Sequence, residues 1–104
     1  MKKISIYVDG KFKSQNFNSL LVHDSPYFKI INFNFEPGQE LPIHAHNIDG
    51  QVSILVLEGE GVFLGEDASL PAKQGDIFIC DIAEPHGIKA KSHLRVIVTI
   101  APPI

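Results

Sequence analysis

The residues of this chain best suited to chemistry are histidines. His44 and His46 stand one residue apart in the stretch Gly38–Gly61, GQELPIHAHNIDGQVSILVLEGEG. Side chains at i and i+2 of a strand point to the same face, so the spacing predicts two imidazoles side by side. A third, His86, ends a separate turn-bounded segment that begins at Gly75. Ligands drawn from different strands of a rigid sheet form a preorganised site. Three neutral imidazoles suit a divalent transition metal (Zn, Ni, Mn, Fe or Cu) and leave coordination positions open for water or substrate. The competing reading is of histidines at the surface or satisfied within a core. Three of the five histidines fall in two turn-bounded segments, which weighs against it.

The elements that must position these residues read as strands. Ile4–Val8 alternates and is followed by Asp9-Gly10, a hairpin signal, with Lys11–Lys13 as the return strand. Residues 14–26 are polar and ambiguous, with Leu20–His23 a short strand. In Tyr27–Glu36, Ile31, Phe33 and Phe35 alternate with Asn32 and Asn34, which predicts a half-buried strand with the asparagines toward solvent. Gln51–Leu57, Val62–Leu64, Ile77–Cys80 and Leu94–Ile100 are further strands between turn signals. No stretch holds helical periodicity over three turns. Eight to ten short strands with regularly spaced turns predict an all-β sandwich or barrel.

The chain has 104 residues, which fits one domain spanning 1–104. Net charge is −3 with no basic patch, so nucleic acid and anionic membrane are not expected partners. The apolar run Ile54–Leu57 is too short to span a bilayer, and the N-terminus lacks a signal-peptide pattern. These features predict a cytoplasmic protein. The single Cys80 excludes an internal disulfide and reads as a small buried hydrophobe.

The two histidine segments resemble the two motifs of the cupins, the RmlC-like superfamily of small β-barrels. Gly38 precedes His44-x-His46 by five residues, and Gln51 follows four residues after His46. Gly75 precedes Asp81-x-Ala83 by five residues, and His86 follows after two more. Both glycine-to-histidine spacings match the family pattern. The chain departs from it at Asp81, Ala83 and Ala90, where the family has Pro, Gly and Asn, and at Gln51, where many members carry a metal-binding glutamate. Seven residues separate Gln51 from Gly59, one more than the pattern, and counting back from Gly59 reaches Val52 instead. A slip of one residue turns a side chain to the other face. Either a bulge returns Gln51 to the pocket or the histidines have no fourth protein ligand. Asp49, on the turn, is a further candidate. Gln51 is the favoured fourth ligand.

The resemblance implies a cupin-type double-stranded β-helix, or jelly-roll barrel, holding a metal at His44, His46, Gln51 and His86. It implies a small oxygen-donor ligand or substrate, sugar-like, uronate-like or another carbonyl compound. Lewis-acid isomerisation, lyase or dioxygenase chemistry would follow. The alternative is a non-catalytic cupin that holds a metal or small ligand for sensing or storage. No general acid or base is assigned by sequence. A homodimer, paired through Ile4–Val8 and Leu94–Ile100, is the assembly the resemblance implies.

Overall fold

The computed structural model describes residues 1–104. Nine strands carry the chain: β1 (Asn18–Asp24), β2 (Lys29–Phe35), β3 (Glu40–His44), β4 (Gln51–Glu58), β5 (Glu60–Gly65), β6 (Ser69–Lys73), β7 (Ile77–Asp81), β8 (His86–Ala90) and β9 (Leu94–Ala101). They pair antiparallel in two sheets, ordered β1-β2-β9-β4-β7 and β3-β8-β5-β6. The all-β jelly-roll expectation holds.

Period-two alternation builds the interior. In β4, Val52, Ile54 and Val56 are buried, whereas Gln51 is exposed. Partners across a ladder share a face. Ile31, Val98 and Ile54 therefore form one apolar layer across β2, β9 and β4, and Phe33, Val96 and Val56 form the next. Phe63, Ala72, Ile88 and Ala90 of the second sheet complete the core. Each large aliphatic or aromatic side chain removed from water contributes roughly 1.5–3 kcal/mol. The β4–β5 turn depends on Gly59, whose φ is +89° and whose added Cβ would lie 1.9 Å from the His93 carbonyl oxygen.

Three expectations are corrected. The N-terminal residues form no hairpin. Ile6–Asp9 is a single helical turn, α1, and Gly10 is extended at φ −79°, where a tight hairpin turn needs positive φ. Ile4 and Ile6 instead lie against Val22, Phe28, Ile30 and Ile97 on the outside of the larger sheet. Next, Asn32 and Asn34 do not face solvent: both are fully buried. The N-terminal segment covers that outer face, and the amides satisfy each other reciprocally at 3.1 Å. Asn34 also donates to the Lys11 carbonyl at 3.0 Å, and Asn32 to the Val96 carbonyl at 3.1 Å. Arg95, ladder partner of Asn34, joins them. Its guanidinium pairs with Glu58 and lies over the rings of Phe12 and Tyr7, 4.7 and 5.0 Å from their centroids. Finally, β9 is no edge strand, because it runs between β2 and β4. The edges of the larger sheet are β1 and β7.

Candidate functional site

The site forms where β3 meets β8. His44 and His86 are direct cross-strand partners, which brings their ring centroids to 4.5 Å. The ladder is irregular between Leu41 and His44. There the two backbones come close: a Cβ on Gly87 would lie 2.6 Å from the Leu41 carbonyl oxygen. Glycine beside His86 thus lets the two histidine-bearing strands touch. β3 ends at His44, so His46 lies just beyond the strand rather than on it. Its backbone N–H donates to the Ile82 carbonyl at 3.2 Å, and its ring centroid is 5.7 Å from that of His44. All three imidazoles line one cavity of about 150 Å³.

Backbone carbonyls set the tautomers. His44 Nδ1 lies 2.9 Å from the Pro42 oxygen, and His86 Nδ1 lies 2.6 Å from the Glu84 oxygen. A carbonyl only accepts, so each Nδ1 carries the proton and each Nε2 keeps its lone pair. Burial pushes the His86 imidazole below its ordinary pKa. The bond to the Glu84 carbonyl opposes this, and charge on His44 or His46 acts in the same downward direction as burial. His86 is therefore held as a neutral imidazole, the form that donates a lone pair.

Gln51 does not join the histidines. It is exposed at the start of β4, and its amide donates to Asp81 Oδ1 at 3.3 Å. Its neighbour Val52, 3% exposed, lines the cavity in its place. Strand parity decides this, because Val52, Ile54 and Val56 share the inward face and no bulge intervenes between Gln51 and Leu55. Asp49 is exposed and outside the cavity as well. Cys80 is buried, and its thiol is pushed up to about 11, first by burial and then by the charges of Glu84 and Asp81, so it is no nucleophile. The remaining nine lining residues are hydrophobic. Ile82 and Ile104 were not singled out by sequence. They follow a strand end and a Pro-Pro pair, where alternation carries no signal.

The donor chemistry fits a divalent transition metal: three imidazoles, with the outer nitrogens of two already committed to carbonyls. Their present arrangement is not a closed cage, since no three His, Cys, Asp or Glu groups meet as ligands of one ion. The rings are neighbours, with centroids 4.5 Å apart for His44 and His86 and 5.7 Å for His44 and His46.

Residues 32–100 match the family model of the cupin domain. The chain belongs to the cupin family. Its structure is similar to that of an RmlC-like cupin protein from Desulfovibrio desulfuricans, 48% identical, with a TM-score of 0.95 and coverage of 100% of this chain and 99% of the other. At lower identity the fold alone is shared. KdgF from Halomonas sp. is 22% identical over 84% of this chain and 81% of its own, with a TM-score of 0.76. Ectoine synthase from P. lautus is 22% identical over 100% of this chain and 79% of its own, also at 0.76. No curated protein matches the chain in sequence. No helix is long and apolar enough to cross a membrane.

Proposed function

We propose that this cupin binds a divalent transition metal (Zn, Ni, Mn, Fe or Cu) through His44, His46 and His86 and acts there on a small oxygen-donor molecule. The observation that carries the reading is the pair of Nδ1 bonds to the Pro42 and Glu84 carbonyls, which frees Nε2 on two adjacent rings lining one cavity. A metal bound by neutral imidazoles alone would supply undiminished Lewis acidity for isomerase-like or lyase-like chemistry, or a centre for O₂ chemistry if it is iron. The chain's own part is to hold His86 neutral by burial, to fix two tautomers through backbone carbonyls, and to exclude water with an apolar wall.

One observation favours the second reading, a cupin that binds without turnover. No carboxylate, thiol or hydroxyl side chain lines the cavity, so any proton transfer falls to the histidines themselves. The test of metal binding is elemental analysis of protein made without a histidine tag or chelator, then reconstituted with each of the five ions. About one ion per chain is expected, with loss in His44→Ala and His86→Ala. Failure of every ion to bind stoichiometrically would sink the reading.

The same proposal takes the chain as one cupin domain acting in the cytoplasm, and as a homodimer. Exposed Ile77 and Ile79 on the edge strand β7 support pairing there rather than through β9. A light-scattering mass near 11.5 kDa would contradict the dimer.

A further inference from the structure

The cavity at the histidines is unusual in what it lacks. Of its twelve lining residues, the three imidazoles are the only polar side chains. No side chain bearing a hydroxyl, amide, ammonium, guanidinium or carboxylate is among them. Apart from Leu41 on β3, the strand-borne apolar wall comes from the sheet opposite the histidines. His44 and His86 stand on β3 and β8, while Phe33, Ile54, Val98 and Ile100 stand on β2, β4 and β9. Val52 is apolar at the very place where Gln51 would have brought an amide. Lys29, at the start of β2, is engaged by a backbone oxygen of Ile104, itself a lining residue of the cavity.

We propose that the molecule taken at this site is small and mainly apolar, with a single oxygen-donor head directed at the histidines, and that it is not a sugar or uronate. The inference rests on the reading of the cavity as the ligand site. A volume of about 150 Å³ sets the size, since an apolar cavity near that volume admits a molecule about as large as benzene. Chemistry sets the class. Each hydroxyl of a sugar buried against Ile, Val and Phe would lose its water partners with little replacement, because every side-chain donor and acceptor on the cavity wall is an imidazole nitrogen. A branched or cyclic hydrocarbon body loses nothing there and gains from leaving water. Only one polar group can be satisfied, at the histidine wall. A short-chain or cyclic carboxylate, enol or ketone has that form.

Two monocarboxylates of equal non-hydrogen atom count separate the alternatives: 3-methylbutanoate, with an isopropyl end, and malonamate, with a carboxamide in its place. Calorimetric titration of each is carried out on metal-free and on metal-loaded protein. The expected result is at least about tenfold tighter binding of 3-methylbutanoate in both forms. Ile100→Phe, which fills the cavity from the sheet opposite His44 and His86, is expected to weaken 3-methylbutanoate by about tenfold or more while leaving metal content unchanged. Equal or tighter binding of malonamate overturns the inference, and so does the absence of saturable binding of either acid. A retained preference for 3-methylbutanoate in protein that binds no metal supports the apolar pocket while removing the metal reading. Stoichiometric metal with no preference does the reverse.

Discussion

Replacing Asn34 with Ala tests how the outer face of the larger sheet is held. Asn34 Nδ2 donates to Asn32 Oδ1 at 3.1 Å and to the Lys11 oxygen at 3.0 Å, and Asn32 Nδ2 donates back to Asn34 Oδ1 at 3.1 Å. After truncation, the Lys11 oxygen keeps the Asn18 amide at 2.9 Å and Asn32 Nδ2 keeps the Val96 oxygen. Asn32 Oδ1 keeps nothing. One orphaned buried acceptor costs about 1–3 kcal/mol, and the space left by the amide adds about 1 kcal/mol. A destabilisation of about 2–4 kcal/mol is therefore expected. At roughly 4–8 °C for each kcal/mol in a domain of this size, the melting temperature falls by roughly 10–30 °C. Urea unfolding followed by far-ultraviolet circular dichroism measures it. The double variant Asn32→Ala, Asn34→Ala removes both members of the pair, so it should cost about 1–2 kcal/mol less than the sum of the single changes. A single-variant cost under about 0.5 kcal/mol, or strict additivity, would refute the buried reciprocal pair.

Further predictions concern the site. Gln51→Ala is expected to leave metal affinity unchanged, whereas His44→Ala and His86→Ala each lower it at least about tenfold in a competition titration; a comparable loss in Gln51→Ala would return the glutamine to the site. Because His86 is held below its ordinary pKa in the fold, the unfolded chain binds its proton more readily, and stability is lost as pH falls below about 6.5. The urea midpoint should therefore drop from pH 7 to pH 5 in the metal-free protein, with a shallower drop in His86→Gln; equal slopes in the two would contradict the assignment. Cys80, with its thiol pushed up to about 11, should react with Ellman's reagent at pH 8 on the order of a hundredfold slower than in urea-unfolded chain. Native and unfolded rates alike would show that the thiol is accessible.

The sequence by itself determined most of the strands from β1 onward, the shared face of Leu94, Val96 and Val98 in β9, and the two glycine-to-histidine segments that meet at the site. These are local properties: alternation has a period of two residues, and turn chemistry acts over three or four. Leu20–His23 lies within the observed β1, and His44, His46 and His86 share one cavity. Tertiary structure decided the rest. Val52 rather than Gln51 faces inward because the β4–β7 and β4–β9 ladders run in unbroken register there, and register is set by strands remote in the chain. Asn32 and Asn34 are buried because the N-terminal segment crosses the sheet above them, a long-range contact that alternation along β2 cannot report. Ile4–Val8 gives up strand pairing in the same setting, with Ile4 and Ile6 at the outer face of that sheet while Tyr7 and Val8 stay exposed. The apolar character of the histidine cavity is the most distant of these outcomes. Its wall is assembled from β2, β4 and β9, and no local stretch of sequence contains it.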